Sequence, residues 1–183
     1  MILNLTNILN YLKNPEYLPL EDISVKNKLI IVLKTLGLSL IVGLGLALLI
    51  GLISLTGLID MDKHKLNDLG KYPPVILFLL VAVAAPIAEE IIFRAPLRSF
   101  KNSKIKFKYI FYAFALIFGY VHIYNYNVTL NVLLLSPILV SPQIILGCFL
   151  GYLRVRLGLI YSILLHGLYN GILTLPVLFM PNL

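Results

Sequence analysis

Five long apolar runs dominate this sequence and leave few folds open to it. Each run is close to the roughly 20 helical residues that cross a hydrocarbon core of about 30 Å. None shows the alternation of apolar and polar residues that marks the strands of a membrane barrel, so the runs predict helices. We therefore predict an all-α fold, a polytopic transmembrane helix bundle of about five to six spans. The runs cover residues 29–59, 74–95, 109–125, 128–153 and 157–180.

The composition excludes a water-soluble globule of this length. Apolar residues make up 60% of the 183-residue chain, charged residues make up 13%, and the mean hydropathy is +0.94. A soluble domain carries about 25% charged residues, and a chain of this size lacks the interior volume to bury so much apolar surface. The net charge of +7 sits between the apolar runs, which is typical of membrane anchoring. We predict the lipid bilayer as a partner, and no nucleic acid.

Basic residues in the loop after the second run set the predicted topology. Six lysines and arginines lie between residues 94 and 108, with no acidic residue among them. Loops rich in lysine and arginine stay in the cytoplasm, whereas the loop 60–72 carries both signs and can face outward. The chain is therefore predicted to be a multi-pass protein of the cell membrane, with its N-terminus in the cytoplasm and its C-terminus outside. Pro137 and Pro142 leave open whether 128–153 is one span or two.

Two adjacent carboxylates, Glu89 and Glu90, lie inside the second predicted span. An ionised side chain at the middle of a bilayer costs at least about 2.5–3.5 kcal/mol, so such residues are functional candidates by default. Arg94 follows Glu90 by four residues and lies on the same helical face, where it can pair with the carboxylate.

Two histidines also lie inside predicted spans, each four residues from a partner. His122 follows Phe118, and His166 precedes Asn170. A spacing of four places His166 and Asn170 one above the other on a helix, where both can act on one substrate atom. Carboxylate, imidazole and amide groups can activate water and bind an oxyanion. The residues thus predict a polar reaction centre in the bundle, and leave both hydrolysis and proton or ion transport open.

Taken in chain order, these residues form three motifs: EExxxR at 89–94, FxxxH at 118–122 and HxxxN at 166–170. The motifs resemble those of the CPBP family, which contains CAAX proteases and bacteriocin-processing enzymes and is also called Abi. The resemblance covers roughly residues 75–175. It implies a CAAX-protease-like core and an intramembrane endopeptidase of the glutamic type, which is metal-independent and needs no cofactor.

The resemblance also implies a role for each motif residue. Glu89 and His122 would hold and deprotonate the attacking water, and His166 with Asn170 would donate to the oxyanion. Glu90 and Arg94 would be supporting residues. By family analogy the substrate is a membrane-associated peptide or protein, such as the leader or signalling peptide of a bacteriocin or quorum-sensing precursor.

We predict three parts along the chain. They are an N-terminal cytoplasmic or interfacial segment at 1–28, a first transmembrane helix with its outer loop at 29–73, and a CPBP-like catalytic membrane core at 74–180. Counting about 1.5 Å per helical residue from the predicted cytoplasmic span ends places the site residues at different depths in the membrane. Glu89 lies about 9 Å deep on this count, His166 about 14 Å and His122 about 20 Å. In the first part, one helical face is predicted to carry Ile2, Leu5, Leu9 and Leu12.

Three alternatives remain open at this stage. The first is a zinc-dependent intramembrane protease in which Glu89, His122 and His166 are the metal ligands, although the chain has no HExxH motif. The second is a non-catalytic membrane scaffold or bacteriocin-immunity protein that keeps the polar cluster for folding or partner binding. The third is a small transporter, against which no inverted repeat is visible.

Overall fold

The computed structural model describes residues 5–61, 64 and 72–179, and over those residues it is helical with no strand. A π-helical segment, Leu80–Ala84, joins α3 to α4, and 3₁₀ segments at Ala95–Phe100 and His122–Asn125 follow α4 and α5. The α-helices are α1 Leu5–Lys13, α2 Val25–Ser54, α3 Pro74–Leu79, α4 Ala85–Phe93, α5 Lys104–Val121, α6 Leu130–Leu139, α7 Ser141–Arg156 and α8 Leu159–Phe179.

Five helical stretches in the described part of the chain are long and apolar enough to cross a membrane, which confirms the predicted helical membrane bundle. Large apolar side chains such as Ile41, Leu48 and Ile160 are each 72% exposed, as expected of faces that contact lipid tails. Most of the loop 60–72 and the C-terminal residues 180–183 lie outside the described residues, so the orientation stays a prediction. The spans are Val25–Ser54, Pro74–Phe100, Lys106–Asn125, Leu130–Arg156 and Leu159–Pro176.

The fourth span consists of two helices that meet at Val140. Pro137 lies inside α6, and Pro142 lies in the first turn of α7, where a missing N–H leaves no hydrogen bond unmade. The backbone N–H of Val140 still donates to Ser136 O at 3.0 Å, and Ile144 N–H donates to Val140 O at 3.0 Å. These two bonds join the helices at the junction, and Leu130–Arg156 forms one candidate span.

The N-terminal helix α1 packs against the bundle, and its inward face agrees only in part with the predicted one, because Leu12 packs against the core but Leu9 does not. Ile8 is buried, and the ring of Tyr11 meets that of Tyr152 edge to face at 5.1 Å between centroids. Leu9, from the predicted face, is 45% exposed, and Ile2 lies outside the described residues. The helix is rotated because an aromatic side chain, which the aliphatic pattern ignored, turns inward to pack against other rings.

The core lies where α7 passes between α2, α5 and α8. Nearly every residue in the second half of α7 is buried, so this helix is the centre of the bundle. Its buried residues are Leu146, Gly147, Phe149, Leu150, Gly151, Tyr152, Leu153, Arg154 and Val155.

Helix α8 crosses the π-helical segment closely at Gly167. A Cβ atom placed on Gly167 would lie 2.7 Å from the backbone oxygen of Ala82, which is closer than real Cβ contacts come. Small residues allow such backbone approaches between membrane helices. This contact fixes how α8, which carries His166, lies against the segment that leads into the two glutamates.

Substituting Gly167 with alanine is therefore expected to destabilise the protein by about 1–3 kcal/mol, the usual range for an overpacked contact. Gly45 in α2 is the matched control, because nothing lies within 4 Å of a Cβ built there. Gly45→Ala is expected to be neutral or to stabilise by up to about 1 kcal/mol. Thermal unfolding of purified protein in detergent, followed by far-ultraviolet circular dichroism, measures both changes. Equal effects of the two substitutions would contradict the close crossing.

Candidate active site

The backbone before the two glutamates is irregular and leaves one carbonyl oxygen without a donor from its own helix. Asn170 supplies that donor. In the π-helical register the oxygen of Val81 would accept from the amide of residue 86, but Pro86 has no N–H. The N–H of Ala85 donates to Leu80 O, so it is not available either. The Nδ2 group of Asn170 donates to Val81 O at 3.0 Å instead. The amide of the HxxxN motif is thereby tied to the helix that carries the EExxxR motif.

The side chain of Glu90 is fully buried and contacts three polar side chains. Its Oε1 lies 3.0 Å from Nδ1 of His166 and 3.5 Å from Nη1 of Arg94. Its Oε2 accepts a hydrogen bond from the hydroxyl of Ser162. The predicted i, i+4 pairing of Glu90 with Arg94 is thus confirmed, and the buried carboxylate has a partner at each oxygen, as a buried charge requires.

Glu89 differs from Glu90 in its exposure. Its side chain is 28% exposed, and its Oε2 lies 3.6 Å from Nε2 of His166. The imidazole of His166, itself 2% exposed, therefore lies between two carboxylates, one enclosed and one open to the surroundings.

Arg94 is buried beneath the aromatic ring of the FxxxH motif. Its guanidinium carbon lies 3.9 Å from the ring centroid of Phe118, a cation–π contact. A Cβ on Gly147 would lie 3.0 Å from Nη2 of Arg94, so the glycine leaves room for the guanidinium. The backbone oxygen of Arg94 accepts from Nε of Arg154 at 3.1 Å.

The ring of Phe118 also contacts both histidines. Its ring centroid lies 5.0 Å from that of His122 and 5.7 Å from that of His166. The Nδ1 atom of His122 lies 2.8 Å from the backbone oxygen of Phe118. Because a carbonyl only accepts, Nδ1 of His122 carries the proton, and its Nε2 is left as an acceptor when the ring is neutral.

The structure therefore joins the residues of the three motifs through short contacts. Glu89, Glu90 and Arg94 contact His166 or one another directly, while Phe118 connects His122 to the group. Among the described residues, no set of three or more His, Cys, Asp or Glu side chains is arranged to hold a metal ion.

Sequence reasoning missed Ser162. It lies four residues before His166 on α8, so the same spacing rule that paired His166 with Asn170 would have placed it on that face. Its hydroxyl is buried beside Glu90 Oε2 and lies 3.0 Å from Leu150 O.

Replacing Ser162 with alanine is expected to lower the free energy of unfolding by about 1.5–3 kcal/mol, the usual worth of a hydrogen bond to a charged group. Ser54→Ala is the matched control, because that exposed hydroxyl bonds only to Gly51 O in its own helix. The control should change stability by less than about 0.5 kcal/mol. Unfolding by SDS in mixed micelles measures both, and a Ser162 effect no larger than the control would contradict a bond to ionised Glu90.

Comparison with known proteins gave one family. The family model described as type II CAAX prenyl endopeptidase, Rce1-like, matches residues 71–172. The matched region is more than half of the chain and contains all three motifs. No curated protein and no solved structure matches the chain.

Proposed function

Since the chain belongs to the Rce1-like family of type II CAAX prenyl endopeptidases, we propose that it is an intramembrane endopeptidase whose attacking water is activated by Glu89 and His122. The proposal rests on the contrast between the two glutamates. Glu90 is enclosed and has a partner at each oxygen, whereas Glu89 is 28% exposed with one neighbour at 3.6 Å. A general base must reach the water that it deprotonates, and Glu89 is the carboxylate that has room to do so.

Glu90 and Arg94 serve as supporting residues in this proposal. The Oε1 of Glu90 accepts from Nδ1 of His166, which orients the imidazole so that its Nε2 faces Glu89 and the open side of the site. Arg94 balances the charge of Glu90 from beneath Phe118. Neither residue has to gain or lose a proton during the reaction.

The reaction is a hydrolysis in which Glu89 holds one proton between two steps. The water oxygen bonds to the carbonyl carbon of the substrate while its proton passes to Glu89, and Nε2 of His122 accepts the water's second hydrogen as a hydrogen bond. The carbonyl oxygen becomes an oxyanion. The carbon–nitrogen bond then breaks, and the departing amine takes the proton from Glu89.

His166 and Asn170 stabilise the oxyanion in this scheme. The Nδ2 group of Asn170 has two N–H bonds, one of which is used on Val81 O, so the second can donate to the substrate. His166 donates through Nε2 when that nitrogen carries a proton. Donors fixed in advance by Val81 and Glu90 cost no reorganisation during the reaction, which is how oxyanion holes accelerate it.

The proposed substrates are membrane-associated peptides or proteins, with the leader or signalling peptides of bacteriocin or quorum-sensing precursors as the class to test first. The site lies among apolar spans, so a substrate reaches it from the bilayer. We also propose that the N-terminus is cytoplasmic and that catalysis needs no metal. A purified enzyme that loses activity in EDTA, and regains it with zinc alone, would favour the zinc protease instead.

The proposal is tested by comparing secreted and membrane-associated peptides from cells that express the wild type or single variants. Asn170→Ala is expected to lower the cleavage product by about 10²–10³-fold, the usual cost of one oxyanion donor. Asn131→Ala is the matched control, because Asn131 is exposed on α6, and it should leave the product unchanged. Mass spectrometry quantifies the peptides and immunoblots equalise protein levels. Unchanged peptide profiles for Asn170→Ala and His122→Ala would favour the scaffold or immunity protein.

A further inference from the structure

A cavity of about 500 Å³ lies apart from the three motifs, between the segment that precedes α2 and the loop that follows α4. It opens to the surface, and every polar side chain that lines it can donate a hydrogen bond. None of its lining residues is acidic. The lining residues are Tyr17, Pro19, Arg98, Lys101 and Asn102.

The cavity lies where membrane spans end. Along the chain, the lining residues lie between span ends: Tyr17 and Pro19 precede the first candidate span, which starts at Val25, and Arg98, Lys101 and Asn102 lie around the end of the second at Phe100. Span ends lie at the level of the lipid headgroups. This is also the end with the basic residues of 94–108, which the distribution of charge assigns to the cytoplasm, and the cytoplasmic leaflet carries the anionic lipids.

The wall formed by the segment before α2 is held in place. Nη1 of Arg156 donates to Leu18 O at 2.6 Å, and the N–H of Leu20 donates to Arg156 O at 2.9 Å. The ring of Tyr17 packs edge to face on Phe107 at 5.6 Å between centroids. This wall of the cavity is therefore held by contacts within the protein itself.

The two cations of the cavity are available to a ligand. Arg98 and Lys101 are exposed, and no carboxylate pairs with either among the residues that the structure describes. The acidic residue next to the wall, Glu16, accepts a hydrogen bond from Asn14. A guanidinium and an ammonium with neighbouring hydroxyl and amide donors match the ionised oxygens of a phosphate group, which accept hydrogen bonds.

We infer that this cavity binds the phosphate of an anionic phospholipid headgroup and so holds the cytoplasmic end of the bundle at a lipid of that class. Inorganic phosphate offers the same chemistry, but the position of the cavity among the span ends favours a lipid. The inference does not depend on the proposed protease activity, since none of the lining residues belongs to the motifs.

The test measures lipid binding to the full-length protein in neutral detergent by native mass spectrometry, with phosphatidylglycerol and phosphatidylcholine as probes. The wild-type protein is expected to retain phosphatidylglycerol in preference to phosphatidylcholine. Arg98→Gln combined with Lys101→Gln should weaken that binding by about 25-fold, because each cation beside an anionic lipid contributes about fivefold. Asn102→Asp, which places a carboxylate in the wall, should weaken it independently of those two residues.

Lys106→Gln combined with Lys108→Gln is the matched control, because it removes the same charge from the same end of the bundle outside the cavity. It should leave phosphatidylglycerol binding within about twofold of wild type. Equal losses in the two double variants would overturn the site and indicate diffuse surface charge. No preference of wild type for phosphatidylglycerol would overturn it as well. Displacement of the lipid by inorganic phosphate at similar concentration would overturn the assignment to a lipid.

Discussion

Replacing Glu89 with glutamine is expected to reduce peptide-bond cleavage by about 10²–10⁴-fold, the range that a general base contributes, without unfolding the protein. Glutamine keeps the size of the side chain but cannot take a proton from water. The fold should persist because Glu89 is 28% exposed and its polar contact is with Nε2 of His166 at 3.6 Å. The measurement is product formed per amount of membrane-inserted protein, together with the thermal midpoint from circular dichroism.

Glu90→Gln is the informative comparison for this prediction. It makes the same chemical change at the neighbouring residue, which is fully buried and has three polar contacts. We expect it to lower stability clearly and cleavage to a smaller extent than Glu89→Gln. Loss of cleavage in Glu90→Gln with near-normal cleavage in Glu89→Gln would reverse the roles proposed for the two carboxylates.

The parts of the site that the sequence could predict are those that helical spacing alone determines. Glu90 with Arg94, and Phe118 with His122, are each four residues apart, and both pairs are in contact. A helix brings such pairs together whatever the rest of the fold does. The number of spans was predictable for a similar reason, because it depends on the length of apolar runs.

Contacts between distant helices could not be predicted in this way. Glu90 meets His166 across 76 positions of sequence, and that meeting depends on the crossing at Gly167 against Ala82 O. Ser162 and Arg154 enter the network for the same reason. The face of a helix that packs inward is determined by the neighbouring helices as well as by its own pattern of apolar residues.

The second span ends later in the structure than the sequence predicted. The second span was predicted to end at residue 95, with the end of the apolar run 74–95. In the structure Arg94 is buried against Phe118 and the candidate span continues as a 3₁₀ segment to Phe100. The side chains of Glu89 and His166 lie level with each other, since Oε2 of Glu89 is 3.6 Å from Nε2 of His166. The predicted difference in depth between these two residues is therefore absent from the structure.

Breaking the ion pair between Glu90 and Arg94 from either side is expected to have the largest effect on stability of any substitution considered. Arg94 is 1% exposed and Glu90 is 0% exposed, so neither charge can turn to water once its partner is gone. Removing one partner of a buried pair typically costs about 3–5 kcal/mol. Arg94→Met should lie in that range, because methionine fills the space under Phe118 but supplies no charge. Unfolding by SDS in mixed micelles, followed by circular dichroism, measures the loss.

The combined variant, Glu90→Gln with Arg94→Met, distinguishes a charge effect from a packing effect. When both charges are absent, no uncompensated ion remains in the bundle, and Gln can still bond to Ser162 and His166. We expect the double variant to lose at least about 2 kcal/mol less than the sum of the single losses, as contacting charged residues do in double-mutant cycles. Strictly additive losses would mean that each side chain acts through its own packing. The ion pair would then have no part in holding His166 between the two carboxylates.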